Sequence, residues 1–125
     1  IGQKAGIEAL TGDQSCVDNM KTAFRERRDF IIQLLNDLPG ISCAVPGGAF
    51  YAFPDFSSYL GRLGNGNLLK DTFDISEYIL GCVNVVTVPG DGFGAPGHIR
   101  FSYATSKEII QKGIDRVRSA LENIA

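Results

Sequence analysis

VPGDGFGAPGHIRFSYATS, residues 88–106, is the stretch on which the fold of this chain turns. In its second half Ile99, Phe101 and Tyr103 alternate with His98, Arg100 and Ser102. Successive side chains of a strand point to opposite faces, so the alternation predicts a strand within 98–104 with one buried and one polar face. A glycine-rich turn, PGDGFGAPG (89–97), precedes it, and before that VNVVTV (83–88) reads as a strand rich in β-branched residues. Thr105 and Glu108 then have capping-box spacing, and Ile110, Ile114, Val117, Leu121 and Ile124 trace a helical stripe to the C-terminus.

The turn contains GFGAPG (92–97), which satisfies G-x-G-x-x-G, and Asp115 lies near the distance at which dinucleotide-binding folds place an acidic residue. That spacing binds a pyrophosphate only where a helix follows and turns its N-terminus toward the phosphates. Here Pro96 and an alternating strand follow instead. The expectation is a turn whose backbone approaches a neighbouring site closely.

Toward the N-terminus, GQKAGIEAL (2–10) reads as helix, with Gly12 as a left-handed stop and Asp13 or Ser15 as the cap of the next helix. Val17, Met20, Phe24, Ile31, Leu34, Leu35 and Leu38 recur at helical spacing until Pro39-Gly40. ISCAV (41–45) and GAFYAF (48–53), divided by Pro46-Gly47, predict a β-hairpin. Residues 57–70, with Gly61, Gly64 and Gly66 among polar residues, predict an exposed loop. Asp74 and Glu77 have a second capping-box spacing, at or just after the start of a helix whose apolar face holds Ile75, Tyr78, Ile79 and Cys82. The expected architecture is therefore α+β, one domain over 1–125, with helices packed on a small, mostly antiparallel sheet.

Composition excludes several functions. Twelve Lys+Arg against 14 Asp+Glu, without a run of like charge, give no footprint for nucleic acid or an anionic membrane. No apolar stretch approaches the roughly 20 residues that span a bilayer. Cys16, Cys43 and Cys82 are far apart and odd in number, which predicts neither a disulfide framework nor a metal site and fits a reducing compartment. His98, the only histidine, has no partners at triad spacing and reads as a strand-end polar residue. Cys82 reads as buried filler, and Tyr51 and Tyr103 as core aromatics. The chain opens at Ile1, already in a helical pattern, so an upstream segment is expected.

Arg100 is the candidate of most interest, because it is central on the polar face of its strand and directly follows the turn. A solvated or structurally paired arginine is one reading. The other is a fixed guanidinium fork, whose planar donors match a carboxylate bidentately. Spacing leaves both open.

VPGDGFGAPGHIRFSYATS, PGGAFYAFPDFS (46–57) and PGISCAVP (39–46) together resemble the C-terminal small domain of class I, fold type I aminotransferases, particularly the aspartate and prephenate branch. IGQKAGIEALTGDQ (1–14) is similar to the entry into that domain, so the likeness covers nearly the whole chain. The resemblance implies that Arg100 binds the α-carboxylate of an amino-acid or 2-oxo-acid substrate, with Phe50, in the segment Gly48 to Tyr51, a further contact. It also implies pyridoxal phosphate held by a large domain absent from this chain, a homodimer when full length, and a cytoplasmic or organelle-matrix location. Asp91-Gly92 departs from the small residue that many relatives carry there, which puts the shape and charge of the turn in question. None of Lys4, Lys21, Lys70, Lys107 or Lys112 stands in a motif matching the cofactor lysine, so no catalytic and no cofactor-binding residue is expected here. The competing expectation is a free-standing, non-catalytic α+β module that binds a small carboxylate or a protein.

Overall fold

The computed structural model describes residues 1–125, and the chain enters it as two helices, α1 (Gly2–Thr11) and α2 (Ser15–Asn36). Gly12, between them, is extended at φ −76° and ψ −171°, not left-handed as expected. Glycine is required there by closeness instead, since a Cβ would lie 2.6 Å from the Glu8 carbonyl oxygen. Asp13 starts α2 by accepting from the Ser15 N–H at 2.9 Å and the Ser15 hydroxyl at 2.5 Å. The predicted apolar stripe of α2 is covered only at its C-terminal end. Ile31, Ile32 and Leu35 are buried, whereas Val17 and Met20 are exposed.

The hairpin expected from 41–45 and 48–53 does not form. Asn36, at the end of α2, takes both backbone groups of Cys43, donating from Nδ2 to the Cys43 carbonyl at 3.1 Å and accepting its N–H at 2.8 Å. A side-chain amide thus occupies the groups that a partner strand would have used. The one antiparallel bridge from the first run, Ser42 with Asp55, falls beyond the second run. The second run contributes β1 (Tyr51–Ala52), which pairs elsewhere.

The expected loop at 57–70 instead carries a hairpin, β2 (Leu63–Gly64) with β3 (Asn67–Leu68). Its two-residue turn, Asn65 at φ 49° and Gly66 at φ 79°, has the positive angles that match the twist of the flanking strands. Leu69, just after it, is 2% exposed and belongs to the core.

Helix α3 (Thr72–Val83) is capped by Asp71, whose side chain accepts from the Asp74 N–H, and ends on left-handed Asn84. The strand expected over 83–88 shrinks accordingly. Val83 completes the helix, and only β4 (Val88–Pro89) pairs. β5 (Ile99–Ser102) lies between β1 and β4 and is antiparallel to both, so the three-stranded sheet has the order β1-β5-β4. The last helix, α4 (Lys107–Leu121), begins with Ser106 accepting from the Ile109 N–H, one residue later than Thr105, and stops before Ile124. The terminus is held by Leu63 and Ala125, which exchange two backbone hydrogen bonds of 3.1 Å.

The architecture is α+β, as expected. A single cluster of 22 buried hydrophobic residues joins Ile31 and Leu35 of α2, Ile75 and Ile79 of α3, Ile99 and Phe101 of β5, and Ile110, Ile114, Val117 and Leu121 of α4. Each such side chain contributes about 1.5–3 kcal/mol when taken from water. Helix α1 contributes none, for all its residues are exposed. No helix is long and apolar enough to cross a membrane.

The Asn36 contact yields a stability prediction. Asn36→Ala leaves the N–H and carbonyl of buried Cys43 without partners, and the loss should be about 1–3 kcal/mol in equilibrium urea unfolding. A change within error would show that water replaces the amide at no cost.

Candidate functional site

The alternation that buries Ile99 and Phe101 turns Arg100 to the opposite face of β5, where it is half-buried. Val88 stands directly opposite it on β4, and on the other side the register sets Tyr51 against Ser102. Tyr51 is thus on the same face as Arg100, one diagonal step away. The guanidinium carbon lies 4.5 Å from the Tyr51 ring centre and 5.1 Å from that of Phe93, which the glycine-rich turn supplies. No other arginine lies against two rings. Phe50 extends the cluster, with its ring centre 4.2 Å from that of Tyr51 and 43% of its surface exposed.

Arg100 takes part in none of the three ion pairs of the chain, Lys21–Asp18, Arg28–Asp29 and Lys107–Glu26. The ring faces attract the cation, for about 0.5–2 kcal/mol, without using its N–H donors. Such a guanidinium is held in direction yet free to meet a planar anion with two parallel hydrogen bonds. The structure therefore brings Arg100 and Phe50 into one cluster. Tyr51, read from the sequence as a core aromatic, is half-buried and belongs to that cluster, whereas Tyr103 is core, 1% exposed, with its hydroxyl on the Ala49 carbonyl at 3.0 Å.

The turn before β5 is closed by its own backbone. Gly90 N–H donates to the His98 carbonyl at 2.8 Å, and Phe93 and Ala95 both donate to the Gly90 carbonyl. A Cβ on Gly90 would collide with the carbonyl oxygens of His98 and Ala95, so the close approach at Gly90 is of the turn to itself and not to a neighbouring site. A short 3-10 turn, Asp91–Phe93, is followed by β5 and not by a helix, and Asp115 is exposed on α4 beside Gln111. Nucleotide geometry is absent here.

Asp91, the departure noted in the sequence, has a defined task. Its Oδ2 accepts from the Thr72 backbone N–H at 3.0 Å and from the Thr72 hydroxyl, while its own N–H donates to Thr72 Oγ1 at 3.3 Å. Its charge is thereby directed to the N-terminus of α3, where an anion is favoured. Sequence reasoning missed this contact, because the partners are 19 residues apart and Thr72 precedes the apolar stripe of its helix.

His98 flanks β5 with its ring 5.2 Å from Phe53 and Nδ1 3.2 Å from the Pro96 carbonyl. Cys82, expected to be buried, is exposed, and its sulfur accepts from Asn65 Nδ2 at 3.2 Å because the unforeseen β2–β3 hairpin brings Asn65 over α3. Lys4, Lys21, Lys70, Lys107 and Lys112 are all exposed.

Residues 1–117 match the family model for aminotransferases of class I and II. The chain belongs to that family. Among its relatives, the aspartate/prephenate aminotransferase of Nitrosomonas europaea is 42% identical over 123 residues, which are 97% of this chain and 31% of that protein. The crystal structure of the aspartate aminotransferase from Rhizobium meliloti superposes with a TM-score of 0.93 at 34% identity, covering 98% of this chain and 31% of that one. The alanine aminotransferase of Pyrococcus furiosus superposes at 0.82 with 32% identity, over 94% and 28% of the two chains. This aminotransferase chain thus spans under a third of the length of these relatives. Its fold is common to family members named for different amino acids.

The Asp91 contact gives a pH prediction for this member of the family. Hydrogen bonds from the Thr72 hydroxyl, and then from its backbone, hold the Asp91 carboxyl below its ordinary value of 3.8. Because the folded value is the lower one, the stabilisation is complete above the unfolded value and is lost as pH falls through the folded value. The difference in Tm between the unaltered protein and Asp91→Asn should be constant from about pH 7 to about pH 5 and narrow below about pH 4. A difference that stays constant down to about pH 2.5 would remove the ionic part of the contact.

Proposed function

We propose that this chain is the C-terminal small domain of a pyridoxal-phosphate-dependent aminotransferase, and that Arg100 grips the α-carboxylate of its substrate. The reaction would transfer an amino group between an amino acid, aspartate-like on the strength of its relatives' names, and a 2-oxo acid. The observation that carries the reading is the state of Arg100. It is half-buried, turned outward by β5, set against Tyr51 and Phe93, and unpaired with any acid of the chain. Family membership favours this over a free-standing binding module.

The residues present do not fit the cofactor itself. Pyridoxal phosphate needs a lysine to hold it covalently and an acid for its ring nitrogen. The five lysines here are exposed, and Lys21 and Lys107 face Asp18 and Glu26. The cofactor would accordingly belong to the large domain, and the share of this chain is binding and orientation. Two hydrogen bonds from one planar fork fix the rotation of a carboxylate as well as its place, which determines where the adjoining Cα stands. Phe50 and Phe93 would shed water around that contact, strengthening it.

The uncovered surfaces support the same assignment. Helix α1 exposes Ile7 and Leu10, and the start of α2 exposes Val17 and Met20, which suits burial against a large domain or a second subunit of a homodimer. A cytoplasmic or organelle-matrix setting accords with three free cysteines.

The test is Arg100→Leu in the full-length enzyme. Removing one partner of a desolvated charge pair should lower kcat/KM by about a hundredfold or more, with cofactor absorbance and content preserved. Unaltered kcat/KM would take Arg100 out of the site.

A further inference from the structure

We propose that Asp91 is a positioning residue for the Arg100 clamp: by holding Thr72 it anchors the turn that lays Phe93 against the guanidinium. The inference rests on the clamp reading above and extends it to a residue that touches neither Arg100 nor substrate.

Three observations lead there. Phe93 is reached from the core only through a short 3-10 turn that begins at Asp91. That turn is closed upon itself by bonds from Phe93 and Ala95 to Gly90 and from Gly94 to Asp91, and its base is rooted on β5 by the Gly90 N–H on the His98 carbonyl. A second tether, nearer to Phe93, comes from the side. Asp91 and Thr72 share three hydrogen bonds, and Thr72 is fully buried at the start of α3. A buried helix terminus is a rigid post, because its first turn is also fixed by Asp71 accepting from the Asp74 N–H.

The neighbouring surface shows what would follow without the tether. Phe93 is 57% exposed and Phe73 54% exposed, so packing alone holds the Phe93 ring only weakly. A ring so little buried keeps its position through its backbone. If the turn swings, the guanidinium loses one of its two aromatic supports and gains rotamer freedom, which must be removed again when a carboxylate binds. The effect should therefore fall on substrate binding more than on the chemical step.

The experiment uses the full-length enzyme and steady-state kinetics with its amino-acid substrate. Asp91→Ala should raise KM about five- to tenfold while kcat stays within about threefold. In a Phe93→Leu background the same change should add less than about twofold, because both substitutions remove one support. A merely structural role predicts equal effects in the two backgrounds, so full additivity overturns the proposal, as does an unchanged KM. Should Asp91→Ala fail to fold, Asp91→Asn keeps one acceptor for the Thr72 N–H. Its KM should rise in the same direction by a smaller factor, and an unchanged value again overturns the idea. Arg100→Leu separates the two levels. If it leaves KM unaltered, the clamp reading itself has failed; if it raises KM while Asp91→Ala does not, only the positioning role of Asp91 has.

Discussion

The two-residue period of β5 is the constraint from which the rest of this molecule follows. Ile99 and Phe101 sink into the core shared by α2, α3 and α4, and Tyr103 continues the same face beyond the strand. A slip of one residue would expose all three and drive Arg100 among isoleucines. The cost of an unpaired guanidinium in that core would be prohibitive, so the register and the outward direction of Arg100 are one fact. Both neighbouring strands are short, two residues each, yet their pairing suffices because the central strand is fixed by what it buries.

With its direction set, Arg100 still needs support that leaves its donors available. An acidic neighbour would hold it firmly but would compete with any incoming carboxylate. The rings of Tyr51 and Phe93 meet the cation through their faces and accept no conventional hydrogen bond from it. Asp91, in the turn that carries Phe93, faces Thr72, and Asp55, bridged to His98, accepts from the Ser57 N–H at 2.8 Å. The surface around the guanidinium is thus aromatic by placement, with its negative groups turned aside.

What could be read along the chain was whatever depended on near neighbours. The alternation of 98–104, the stripe of α4 and the turn character of 89–97 are local patterns, and each survives in three dimensions. Several of the failures are partnerships beyond near neighbours. Residues 41–45 have good strand composition, but Asn36 reaches Cys43 first, and nothing in either segment marks that encounter. Asn65-Gly66 did carry a hairpin signal, which the surrounding glycines obscured. Val83 belongs by composition to the run that follows it, yet it continues the buried face of α3. For the site, the resemblance of 88–106 led to Arg100 and that of 46–57 to Phe50, while the roles of Tyr51, Phe93 and Asp91 required the sheet register and the packing of the turn on α3.

The division between covered and uncovered surface carries the functional argument one step further. The core is complete without α1, none of whose residues is buried, and without the first turns of α2. The sheet is likewise covered on one face only, with Phe50, Phe53, Phe73 and Phe93 exposed on or near the other. On the proposed reading, the apolar area left uncovered on α1, on the start of α2 and beside Arg100 suits a domain that closes over a ligand carried by another body. On that reading, the small domain carries a rigid anion grip and the large domain carries the chemistry. A grip mounted on a strand that is locked by its own core moves as a unit with the domain, so closing the cleft and aligning the carboxylate become the same motion.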